Sequence, residues 1–188
     1  MKTLLLTSSG MKLNIKIFNS VLPKPSHELK LAHIITAANL DPNREWFDEN
    51  KKQLIERGFQ IEDIDIVGKD ENELKSLLKD KDIIYVQGGD PFYLLKHIRL
   101  SGFDNVVKVL IETGVIYIGH SAGTWVAQPT IETALWSKPT RATHGITDYT
   151  GMHLAPVLTM VHVGKDEKHS SPEYKERVKE GIKKYKYP

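Results

Sequence analysis

One stretch of the 188-residue chain joins residue types whose spacing can do covalent chemistry. Gly119-His120-Ser121-Ala122-Gly123 has the form G-x-S-x-G. Apolar residues 115–118 precede it, and a helical run, Thr124-Trp125-Val126-Ala127, follows. Strand, sharp turn and helix in that order form the context a nucleophile elbow requires. Side chains at 119 and 123 would collide with the neighbouring strand and helix, so glycines flank the serine. The turn would expose Ser121 at the C-terminal edge of a sheet, its Oγ near the positive end of a helix dipole. The alternative is a glycine-rich turn in which Ser121 only caps the helix. The chain has no cysteine. That removes thiolate nucleophiles, cysteine zinc sites and disulfide scaffolds together.

A serine hydroxyl needs a base to become a nucleophile. The histidines are His27, His33, His97, His120, His144, His153, His162 and His169. His120 adjoins the serine, but neighbouring side chains at a sharp turn point apart. His162 follows the apolar run 154–161, which predicts the next strand of the sheet. It would then lie on the same edge as Ser121, where the active sites of α/β proteins collect. Gly88-Gly89 breaks the chain after another apolar run, 82–86. Its backbone N–H groups, with that of Ala122, could face a developing oxyanion.

The elements that must position these groups alternate along the chain. Residues 3–7, 31–37, 60–67, 82–86 and 115–118 read as strands, the third with the period-two pattern of a half-buried edge. Residues 12–21, 45–57, 71–78, 92–100 and 105–112 read as helices, with Asn39, Asp41 and Pro42 signalling the start of the second and Gly58 its end. This β-α-β-α rhythm predicts a parallel sheet covered by helices, because parallel strands need crossover connections. From Pro172 a last helix places Tyr174, Val178 and Ile182 four apart and ends in a basic, aromatic tail. Lysines there suit a helix C-terminus, so the tail alone does not imply a nucleic-acid or lipid partner.

The length predicts one domain over residues 1–188. Hydrophobic residues are 40% and charged residues 27%, with a net charge of +2. These values argue against intrinsic disorder and against nucleic acid as the main partner. The N-terminus lacks the apolar run of a secretory signal, and no stretch is long enough to span a membrane, which predicts a cytoplasmic protein. Histidine pairs at zinc spacing are absent, and neither a metal nor a cofactor is expected.

Three further motifs surround the elbow: Asp82-Ile-Ile-Tyr-Val-Gln-Gly-Gly-Asp-Pro-Phe-Tyr-Leu-Leu95, Pro129-Thr130-Ile131-Glu132-Thr133, and Leu154-Ala155-Pro156 with His162 six residues beyond the proline. As a set they resemble peptidase E (alpha-aspartyl dipeptidase) and its relatives, including cyanophycinase. That resemblance implies a three-layer α/β sandwich, flavodoxin-like and similar to class I glutamine amidotransferases, with serine in place of their cysteine. It implies a serine exopeptidase acting on short peptides, including ones with an N-terminal aspartate. Ser121 would be nucleophile, His162 base, and Gly89 and Ala122 the oxyanion hole. The family's triad acid lies about fifteen residues after the serine, where this chain has Leu135-Trp136-Ser137. Glu132 is the nearest acid and is expected to complete the triad, with Asp148 as the other candidate. Arg141 is an available partner for a substrate aspartate. The chain is shorter than is typical of the family, which predicts an exposed sheet edge covered in a homo-oligomer, most simply a dimer. Two other readings of the same motifs are an α/β-hydrolase esterase and a family member that binds peptides or a partner without turnover.

Overall fold

A computed structural model describes residues 2–10, 15–164 and 168–185. Residues 11–14, at the start of the first expected helix, and 186–188 of the expected basic tail lie outside the described residues. Five strands, β1 (Leu4–Thr7), β2 (Lys30–Ile34), β3 (Gln60–Ile64), β4 (Ile83–Val86) and β5 (Ile116–His120), form one parallel sheet in the order β1-β5-β4-β2-β3. Each expected strand up to residue 118 is present. β3 is indeed an edge, exposed or half-exposed along its length until Ile64, which is buried. β4 and β5 are buried on both faces, which explains their unbroken apolar runs.

The pleat sends alternate side chains to two cores. Leu31, Ile83, Tyr85, Ile116 and Ile118 face α1 (Ile15–Ser20) and α2 (Glu45–Glu56) through Phe18 and Leu54. Ala32, Ile34, Ile84, Val86 and Tyr117 face the opposite layer, built from α3 (Glu71–Leu78), α4 (Pro91–Ser101), α5 (Phe103–Glu112) and α6 (Ala122–Ala127). Two helix layers around one parallel sheet make a three-layer α/β sandwich. Local signals set the helix ends. Asp70 and Glu73 form a capping box on α3, and Asp90 accepts from the N–H groups of Phe92 and Tyr93 with Pro91 in the first turn of α4.

After α6 come α7 (Thr133–Ser137) and α8 (Pro172–Lys184). One expectation fails in this region. Residues 154–161 do not extend the sheet; they run as irregular chain, and β1 ends it. Pro156 has no N–H for a ladder. The segment bonds elsewhere: Leu154 N donates to Ala127 O at 2.8 Å, and Thr159 N to Gln128 Oε1 at 2.6 Å. It thus supplies donors to the carbonyls at the end of α6, which no helical partner satisfies. The helix expected from Pro172 is present as α8. Tyr174 is buried, but Ile182 is exposed, because the helix rests on Trp136 through Gly181.

Candidate functional site

The site forms where β5 turns into α6. Both flanking glycines sit where no side chain fits. A Cβ at Gly119 would lie 2.7 Å from the carbonyl of Gly123, and one at Gly123 would lie 2.2 Å from Val86 O. Ser121 itself adopts φ 49° and ψ −99°, a left-handed backbone that is strained for any residue with a side chain. Hydrogen bonds hold it there. Ser121 N donates to Thr7 O at 2.9 Å. Thr124 Oγ1 donates towards Thr7 O and Gly119 O at 2.8 Å each and accepts from Thr7 N at 3.0 Å. The buried Tyr117 hydroxyl donates to Gly123 O at 2.7 Å.

Ser121 Oγ lies 2.9 Å from His162 Nε2, although 41 residues separate them in sequence. The loop carrying His162 turns through φ 66° at that residue, and its backbone N–H donates to Ser8 Oγ at 2.8 Å, just beyond β1. The edge of Trp125 flanks the imidazole at 6.3 Å between ring centroids. His162 therefore reaches the edge predicted for it, but by a loop fastened to β1 and α6 rather than at the end of a strand.

Gly88 and Gly89 close the other side. Gly89 has φ 141°, and a Cβ there would lie 2.0 Å from Ala37 O. Gly88 packs so closely that its Cβ would lie 3.2 Å from that of Ser121. Among the described residues, no hydrogen bond occupies the N–H of Gly89 or of Ala122. Gly89, Ser121 and His162 border a cavity of about 390 Å³, which Ser8, Asp41, Trp46, Glu49, Asn50 and Gln53 also line.

His120 lines the same cavity, and its Nδ1 lies 3.2 Å from Gln87 Oε1. Behind it stands His33, fully buried, its Nδ1 at 2.9 Å from Asp63. Burial lowers the His33 pKa despite the opposing pull of Asp63.

The structure does not bring the expected acids to His162. Both carboxylate oxygens of Glu132 bond Lys184 Nζ, at 2.9 and 2.8 Å, and the Tyr185 hydroxyl donates to one of them. Burial alone would raise the Glu132 pKa, but these bonds hold it below the usual range. They fix the side chain towards α8, among the residues lining a separate groove. Asp148 bonds Arg99 at 3.2 Å and its own neighbour Thr150. Arg141 is likewise outside the cavity lining. It packs 5.5 Å over the Trp125 ring, and burial lowers its pKa. The sequence reading missed Ser8 as the anchor of His162. It also missed the wall from α2, although positions 46, 49, 50 and 53 carry the spacing of one helix face.

Comparisons with known proteins identify the family and the fold. The sequence profile of Peptidase family S51 matches residues 4–187. An uncharacterised peptidase of Listeria monocytogenes is 30% identical over 129 residues, which are 69% of this chain and 63% of that protein. A peptidase E of Nostoc is 28% identical over 105 residues, 56% of this chain and 42% of its own. The chain thus spans less than two thirds of these relatives' length. Among solved structures, a peptidase E-type protein from Listeria monocytogenes EGD-e superposes with a TM-score of 0.82 at 27% identity, covering 96% of this chain and 87% of that one. A peptidase from an acI-B1 Actinobacterium shares the fold, with a TM-score of 0.69 at 21% identity. With its profile matched from the first strand to the end of the last helix, the chain belongs to Peptidase family S51.

Proposed function

We propose that this protein is a serine peptidase that cleaves short peptides through an acyl-enzyme on Ser121. The observation that carries this is the 2.9 Å contact between Ser121 Oγ and His162 Nε2, at a strained turn opening onto a cavity. Neutral His162 accepts the hydroxyl proton through Nε2 as Oγ attacks the carbonyl carbon. The carbonyl oxygen becomes an oxyanion, which the N–H groups of Gly89 and Ala122 receive. The imidazolium then gives its proton to the leaving amine, and water attacks the acyl-enzyme with His162 again as base. Family membership supports a peptide rather than an ester as substrate. The geometry supports a Ser–His pair, and neither Glu132 nor Asp148 is proposed as its acid.

A fluorophosphonate probe tests the nucleophile. Wild type should label rapidly and lose labelling in Ser121→Ala, whereas equal labelling of the two would remove Ser121 from the chemistry. In a dipeptide-library assay, Ser121→Ala and His162→Ala should each lower kcat by about 10⁴-fold or more. A second reading, peptide binding without turnover, would be favoured if wild type showed peptide affinity but neither labelling nor hydrolysis.

A further inference from the structure

Arg141 is a cation without a matching anion. It lies in the turn after α7, where its N–H donates to Lys138 O, and its side chain is half-buried. The guanidinium packs 5.5 Å from the centroid of the Trp125 ring. Stacking covers a face of that group but uses none of its five N–H donors, which lie in its plane. Among the described residues the Arg141 side chain has no ion pair and no hydrogen bond, and its Nε is buried. Asp90 is near enough to oppose the desolvation of Arg141, yet its own oxygens are taken. Oδ1 accepts from Phe92 N at 2.9 Å and Tyr93 N at 3.0 Å, and Oδ2 lies 3.2 Å from His144 Nε2. The indole N–H of Trp125 is a second buried donor in this corner without an acceptor. A guanidinium withdrawn from water is costly unless an anion meets it.

The position of this corner indicates which anion. Trp125 contacts both Arg141 and the His162 ring, at 5.5 and 6.3 Å between centres, so guanidinium and imidazole are about 12 Å apart at most, some three residues of extended chain. In the proposed reaction His162 gives its proton to the leaving amine. The leaving portion of the peptide therefore starts beside His162, while the acyl portion stays on Ser121. Arg141 is outside the cavity that α2 walls, and its connection to the reacting pair runs through Trp125 and His162. A leaving portion of one to about three residues that passes Trp125 ends within reach of Arg141. What a short peptide carries at that end is its C-terminal carboxylate, which the planar fork of a guanidinium matches with two parallel N–H···O bonds. The side chain of an N-terminal aspartate, expected from the sequence as the partner of Arg141, would lie on the other side of the scissile bond.

We propose that Arg141, seated on Trp125, binds the C-terminal carboxylate of the peptide and thereby directs cleavage to bonds within about three residues of that end. The proposal rests on Ser121 and His162 as the reacting pair, and it makes Arg141 a residue that selects and positions the substrate.

Calorimetry on Ser121→Ala, which leaves peptides uncleaved, reads the contact directly. The panel is Ala-Ala-Ala, its C-terminal amide, and Asp-Ala-Ala amide. The free acid should bind about tenfold or more tighter than Ala-Ala-Ala amide. Adding Arg141→Gln should bring those two affinities to within about twofold of each other. Arg141→Lys should keep only part of the preference, because an ammonium cannot form the bidentate pair. The comparison of acid with amide needs no change at Arg141, so it decides even where an Arg141 variant does not fold. Equal affinity of acid and amide, tightest binding of Asp-Ala-Ala amide, absence of binding, or a preference untouched by Arg141→Gln would overturn the proposal. Fluorophosphonate labelling of wild type keeps the two claims apart. Labelling without a preference for the acid sinks this inference alone, whereas a preference without labelling sinks the peptidase mechanism alone.

Discussion

Ser121 combines two costs, a left-handed backbone and near-complete burial of its polar side chain, and the proposed nucleophilic role would account for both. A non-glycine residue in such a conformation costs about 1–3 kcal/mol. Ser121→Gly should therefore be more stable than Ser121→Ala by about 1 kcal/mol in urea unfolding, with both inactive. Equal or greater stability of the alanine variant would show that the turn holds no strain. Glu132 gives the opposite test. Its partners Lys184 and Tyr185 lie on or near the surface, where ion pairs contribute about 0–1 kcal/mol. Glu132→Gln should keep hydrolytic activity within about threefold and lose no more than about 1 kcal/mol of stability. A fall of about 10⁴-fold, as for loss of a triad acid, would return Glu132 to the site.

At the scale of elements, the approach of α6 to the sheet decides the geometry. The backbone of Gly123 touches that of β4, and Thr124 ties α6 to β1 and β5. Gly123→Ala must push α6 from Val86. It should lower stability by about 1–3 kcal/mol and reduce kcat as well, because Ser121 and the N–H of Ala122 move with the helix. Urea unfolding and steady-state kinetics together check this, and an unaltered kcat would mean that the turn tolerates displacement. The loop bearing His162 is a different kind of device. It has no ladder of its own and depends on Ser8, Gln128 and the end of α6.

For the whole molecule, the buried His33 links folding to pH. Its charged form is desolvated, so its pKa in the folded state lies below the ordinary 6.5. As pH falls through about 6.5 the unfolded chain takes up a proton at this residue and the folded one does not, so stability falls with acidification. His33→Gln removes that dependence. Between pH 7 and pH 5, urea unfolding should show a smaller loss of stability in the variant than in wild type, and equal losses would contradict the assignment. No helix among the described residues is long and apolar enough to cross a membrane. β1 stands at one end of the sheet with β5 as its neighbour, and we propose that a second copy covers this edge in a homodimer. Sedimentation should give a mass of two chains, and a single-chain mass at all concentrations would remove the proposal.

What the sequence determined by itself was local or periodic. Short apolar runs and helical spacing located the five strands and most helices, because strand length and the 3.6-residue side-chain period follow from local sequence and backbone geometry. G-x-S-x-G located the turn, because glycine's missing Cβ is a property of the residue and the collisions at 119 and 123 follow from any strand-turn-helix. Tertiary structure decided which groups meet. Residues 154–161 look like a strand in isolation, yet their donors found nearer acceptors at the end of α6 and on Gln128. Glu132 looked close to Ser121 along the chain, yet α8 returned Lys184 and Tyr185 to it from about fifty residues away. Sequence fixes what each residue can donate, accept or avoid; only packing fixes its partner, because hydrogen bonds and charges act over a few ångströms and contour length does not report such distances.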